Sequence, residues 1–244
     1  MGFLKKMMAA VGIGGARVDA LVQNPAVRVG EDLTGVVQVT GGALEHRVER
    51  INLGLTTRYK ADDAYLVHTL FTEPVIGGFD LRPGEKLEFP FRLPIPHGTP
   101  LTLPGTAVWL VTDADIAAAV DPGDTDHLQI LPSREMEVVI GAAQRLGFHL
   151  KASEVEYHHG RVVQELSFAP PHGQFRINEL EVMMFQTPGG LDVLLEVDRR
   201  ATGMASFFTA EFEQKGRWHV PNETLLRGPD AVAHELRARI GQLS

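Results

Sequence analysis

The sequence predicts an all-β chain arranged as two tandem β-sandwich domains of immunoglobulin-like type with a few short helices. A strand signature occurs twice in the first hundred residues, as Val29-Gly30-Glu31-Asp32-Leu33-Thr34-Gly35-Val36-Val37-Gln38-Val39 and as Arg82-Pro83-Gly84-Glu85-Lys86-Leu87-Glu88-Phe89-Pro90-Phe91-Arg92-Leu93-Pro94. In each copy a glycine turn with an acidic residue opens a segment whose apolar side chains recur every second position, as a strand covering a core on one face requires. The 244-residue length exceeds one ordinary sandwich of about 100 residues and favours two. Hydrophobic residues make up 44% of the chain, enough to fill real cores and too many for a disordered polymer.

Residues 3 to 11 predict one short helix, with Phe3, Met7 and Val11 in register and Leu4 beside Met8. Gly12, Gly14 and Gly15 end it, and the glycine stretch lacks the third glycine and preceding strand of a dinucleotide loop. From Ala16 to Val111 the text reads as strand and turn. Between Arg50 and Tyr59, the residues Ile51, Leu53, Leu55, Thr57 and Tyr59 share one face, bounded by turns at Gly41-Gly42 and Asp62-Asp63. Pro90 cannot donate a ladder hydrogen bond, which places its strand on an edge or at a bulge. Pro94, Pro96 and Pro100 mark an extended connection, after which Ala107, Trp109 and Val111 are expected on the core face of a further strand.

At Leu131-Pro132 the pattern changes, and the domains are expected as residues 1–131 and 132–244. Ser133 can cap a helix with apolar positions Met136, Val139, Ile140, Ala143 and Leu146, closed by Gly147. Strands then return over Phe148–Tyr157 and Arg161–Phe168 about a His158-His159-Gly160 turn, and again over Phe175–Phe185. Leu191, Val193, Leu195 and Val197 alternate as a strand, although Leu191, Leu194, Leu195 and Asp198 also fit a helical period. The chain closes with an amphipathic helix over roughly 230–240, carrying Val232, Leu236 and Ile240 four apart.

Lysine and arginine total 23 against 31 aspartates and glutamates, and the net charge of -8 is spread along the chain. No basic platform for nucleic acid exists. There is no cysteine, which excludes disulfides and thiolate catalysis and suits a reducing cytoplasm. The early apolar stretch is too short and glycine-broken for a signal peptide, and no segment reaches the length of a membrane span. Stable membrane insertion is therefore not expected.

Several ordered stretches resemble the bacterial sporulation-control protein family. They include Phe3-Leu4-Lys5-Lys6, Val11-Gly12-Ile13-Gly14, Gly30-Glu31, Thr57-Arg58-Tyr59, Pro83-Gly84-Glu85 and Phe89-Pro90-Phe91. The match continues through Asp115-Ile116, Ala119-Val120-Asp121-Pro122, Leu146-Gly147-Phe148 and Leu195-Glu196-Val197-Asp198-Arg199-Arg200. The resemblance implies two tandem arrestin-like sandwiches and a regulatory role in developmental control, and it supplies no catalytic residues.

The candidate sites are few. Asp121, Asp124 and Asp126 crowd three carboxylates into six residues, but their spacing departs from a calcium loop and lacks its downstream glutamate, so a turn with solvated carboxylates is expected. His149, His158, His159 and His172 fall close in sequence without ligand spacing. Ser133, Ser153, Ser167, Ser206 and Ser244 lack a nucleophile elbow. No catalytic group, metal or cofactor is expected. Asp198, Arg199 and Arg200 are candidates for an interdomain charge cluster. Phe3, Leu4, Met7 and Met8, with Val232, Leu236 and Ile240, are the candidate partner surfaces. The function expected is a non-enzymatic cytoplasmic regulator or scaffold that binds protein partners, with a homo-oligomer left open. A small-molecule or metal sensor is the alternative.

Overall fold

The computed structural model describes residues 15–61, 64–117, 121–158, 161–198 and 216–243. The expected first helix lies outside them. The described chain is mostly β-strand, with a few helices in its second half. It divides into two compact units, one of residues 1–58, 67–95 and 107–130 and one of residues 59–66, 96–106 and 131–244.

The first unit contains a three-stranded antiparallel sheet in the order β1 (Arg17–Val22), β3 (Asp32–Thr40), β7 (Lys86–Pro94). Gly30 and Gly84 open the two signature strands with φ of 84° and 69°, the left-handed turn that a side chain would strain. Pro90 pairs with Val36 on β7, an edge strand of this sheet, as its missing donor requires. The unit's other strands are β2 (Ala26–Arg28), β4 (His46–Ala61, contributing residues to 58), β5 (Ala64–Ile76, contributing from 67), β6 (Phe79–Leu81), β8 (Val108–Ile116) and β9 (Gly123–Leu131). They run β2-β9-β8-β4, with β5 and β6 paired to the far side of β4. Leu33, Val37 and Val39 from one sheet and Ile51, Leu53, Leu55 and Leu110 from the other are fully buried. The alternation read in β4 is therefore the core face, with Thr57 buried alongside.

Trp109 corrects one expectation. The buried face of β8 carries Val108, Leu110, Thr112, Ala114 and Ile116, and Trp109 is half-buried on the opposite face. Residues 107–111 are all apolar, so local alternation leaves the parity undetermined. Pairing decides it, because Leu110 lies opposite Leu55 and Val108 opposite Thr57. The Trp109 indole N–H donates to His127 Nε2 at 3.1 Å, and the Arg58 guanidinium lies 5.8 Å from the ring centre.

In the second unit, five antiparallel strands run in the order β10 (His149–His158), β11 (Arg161–Ala169), β12 (Glu179–Thr187), β13 (Gly190–Asp198), β14 (Arg217–Pro221). Residues 191–198, which fit two periods, are strand. The layer over one face of this sheet is helical: α1 (Arg134–Arg145) and α3 (Pro229–Leu243), joined to β14 through the short α2 (Asn222–Leu226). Ser133 caps α1 by accepting the Met136 N–H at 3.2 Å. Val139, Ile140 and Ala143 of α1 meet Leu236 of α3 and Phe168, Val182 and Leu195 of the sheet around one small apolar gap. Helices of this length are marginal alone and are held by burying that stripe.

Candidate functional site

The terminal stripe is a second correction. Val232, Leu236 and Ile240 are 0%, 1% and 0% exposed, so the amphipathic face of α3 is covered by its own unit and presents no partner surface. An amphipathic pattern declares that a face needs cover, not which molecule supplies it. Phe3, Leu4, Met7 and Met8 lie outside the described residues. Asp198 ends β13 opposite Glu179, while Arg199 and Arg200 also fall outside the description.

The aspartates expected in a turn are placed differently. Gly123 to Leu131 is strand β9, and only Asp121 precedes it, where its Oδ1 accepts the Ile116 N–H at 2.9 Å. Asp124 and Asp126 lie opposite Thr112 and Leu110 of β8, on the core-facing side of an outer strand. There they meet Asp19 of β1. Asp124 Oδ2 accepts the Ala20 N–H at 3.1 Å, closing the open edge of β1 with a carboxylate. Burial, then the charge and hydrogen bond of Asp124, then the charge of Asp19 push Asp126 up to about 6, and Asp19 is raised by burial and Asp124. Asp19 and Asp126 thus hold their protons more tightly than free aspartates, and Asp126 Oδ2 is buried without a hydrogen-bond partner among the described residues. Among the described residues no group of three histidines, cysteines or carboxylates is arranged to hold a metal ion.

A second acidic array, on the β10–β13 sheet, escaped the sequence reading. Glu154 lies opposite Glu165 on β10 and β11, and Glu181 lies opposite Glu196 on β12 and β13. Glu165, Glu181 and Glu196 are each about 95% buried, from relative exposures of 5%, 5% and 4%. Burial and the charges of Glu154, Glu156, Glu196 and Glu179 raise Glu165 to about 7. Its Oε1 accepts from the Ser167 hydroxyl at 3.5 Å, and its Oε2 has no hydrogen-bond partner among the described residues. The sequence shows only isolated glutamates in alternating strands. Their convergence depends on inter-strand register.

The remaining polar groups hold elements together. Asp192 accepts from Arg217 Nη2 at 2.6 Å and contacts His219 Nδ1 at 2.7 Å, fastening β14 to β13; these two bonds hold its carboxyl below the usual range. Ser153 meets Thr106 Oγ1 at 2.8 Å and donates to the Pro104 carbonyl at 3.1 Å. The hydroxyls of Ser133, Ser153 and Ser167 thus cap a helix, anchor a connection and reach a glutamate. Of the histidines, His149 and His172 are exposed, the side chain of His158 is not described, and His159 lies outside the described residues. A cavity of about 330 Å³ in the first unit is lined by Gly15, Ala16, Arg17, Thr40, Gly41, Gly42 and Ala43, a wall with one charged side chain and no acid–base pair.

The outer strands of the first unit differ in how they meet solvent. On β7, Lys86, Glu88, Pro90 and Arg92 are exposed, and charge with proline guards an edge against pairing. β5 has no lysine, arginine or aspartate in its 13 residues, and its single glutamate is Glu73. Val67 on β5 is 70% exposed, and Thr69 and Thr72 are also exposed.

This combination defines a class: a β-rich protein whose described polar groups cap, clip and close strands, with one strand, β5, that pairs with β4 among the described residues and carries no formal charge over residues 67–72. The family is shown by comparison. The chain belongs to the Spo0M family, whose model, described as "SpoOM protein", matches residues 4–201. It is 37% identical over 215 residues to the sporulation-control protein spo0M of Bacillus subtilis (strain 168), covering 84% of this chain and 83% of that protein. The crystal structure of Spo0M, sporulation control protein, from Bacillus subtilis superposes with a TM-score of 0.84 at 30% identity, covering 95% of this chain and all of that one.

Proposed function

We propose that this chain is a non-enzymatic regulator in sporulation or related developmental control that acts by binding protein. Kinship with a sporulation-control protein along most of both chains supports the regulatory role. The observation that carries the mode of action is the exposed, nearly uncharged strand β5. An open strand edge recruits another strand through main-chain hydrogen bonds, and side chains on alternate positions add selectivity. The stripe of α3 is buried, so the exposed strand edge is taken as the contact element in its place. The setting is the cytoplasm, in keeping with a chain that has no cysteine. Among the described residues no helix is long and apolar enough to cross a membrane.

The test is replacement of spo0M in Bacillus subtilis by this chain, with spore yield as the readout. The intact chain is expected to change spore yield relative to the deletion strain. A folded double variant, Val67→Lys with Thr69→Lys, is expected to lose that effect. Undiminished activity of the double variant at matched expression would refute the strand-edge mechanism.

A further inference from the structure

We infer that β5 is a self-pairing edge whose occupant is the same strand of a second copy of this chain. The inference rests on the protein-contact reading above and names the partner. A two-fold axis sets an antiparallel strand against itself, so a side chain on the axis meets its own copy and a charge there meets the same charge. The edges of the three-stranded sheet do not suit that arrangement. β7 exposes Lys86, Glu88 and Arg92 and is interrupted by Pro90, and the edge of β1 is closed at Ala20 by the Asp124 carboxylate. Residues 67–72, Val-His-Thr-Leu-Phe-Thr, hold no acidic or always-charged side chain, and the guards Glu73 and Pro74 begin immediately after them. A register centred on Thr69 sets Thr69 opposite its own copy, Val67 opposite Phe71 and His68 opposite Leu70 of the second copy. Glu73 and Pro74 then stay outside the ladder. Val67, Thr69 and Thr72 are β-branched, which suits both strands equally.

Charge separates this partner from an oppositely charged one. Each copy carries a net charge of -8, so two copies repel at long range while residues 67–72 of the contacting strands add no formal charge. Added salt should therefore strengthen the association, whereas a contact made by ion pairs would weaken.

Sedimentation velocity on the full chain, from low to high micromolar concentration and at low and high salt, reads the assembly directly. A monomer–dimer equilibrium that tightens with salt is expected, and Thr69→Lys should weaken it by at least about tenfold at an unchanged melting temperature. Because the chain has no cysteine, Thr69→Cys supplies one thiol per copy and should form an intermolecular disulfide under mild oxidation. Glu88→Cys on the guarded β7 should not. A chain monomeric throughout the range, a dimer indifferent to Thr69→Lys, or equal crosslinking at both positions would overturn the inference. If the chain is monomeric while the β5 lysine variant still loses its effect on spore yield, the edge takes a strand from a different protein. Self-pairing then fails and the regulatory reading stands.

Discussion

Replacing Glu165 with glutamine tests whether the glutamate array costs stability. The substitution keeps the shape of the side chain and an oxygen able to accept from Ser167, while removing a charge from a site 5% exposed and facing four other carboxylates. Burial raises the folded-state value from 4.5 to about 7, so the native state binds the proton more tightly than the unfolded chain. That contribution to stability is fully present below about pH 4.5, falls as the pH rises, and is lost above about pH 7. The gap is worth about 3 kcal/mol in full, of which about 2.5 kcal/mol falls between pH 5 and pH 8. Urea denaturation of wild type and Glu165→Gln at both pH values supplies the comparison. The variant should gain on the wild type by about 2 kcal/mol or more on going from pH 5 to pH 8. Parallel pH dependences, agreeing within about 0.5 kcal/mol, would show that Glu165 ionises normally and refute the reasoning.

Two further substitutions test the packing. Leu236→Ala removes a fully buried side chain between α3, α1 and the sheet and should cost about 2–5 kcal/mol in chemical denaturation, where an exposed partner-binding leucine would cost little. Trp109→Ala should cost at least about 1 kcal/mol less than Leu110→Ala despite deleting the larger side chain, because only Leu110 faces the core; equal losses by thermal denaturation would restore Trp109 to the interior.

Wherever local pattern is sufficient, the amino-acid sequence by itself determined the outcome. The period-two run from Ile51 to Thr57 forms the buried side of β4, the missing donor of Pro90 places β7 on an edge, and Ser133 begins α1. These properties belong to a residue and its near neighbours. Tertiary structure decided which face of the all-apolar run at Trp109 turns inward, because register with Leu55 and Thr57 settles parity where alternation is absent. It also decided that the α3 stripe is covered by Phe168, Val182 and Leu195 and by α1, a choice of partner that an apolar face cannot encode alone. The same holds for the two acidic groupings. Asp19 meets Asp124 from roughly a hundred positions away in the chain, and Glu181 meets Glu196 through a strand pairing. Side-chain period is a local property, whereas inter-strand register is set by the whole core, and the proximity of these carboxylates depends on the second.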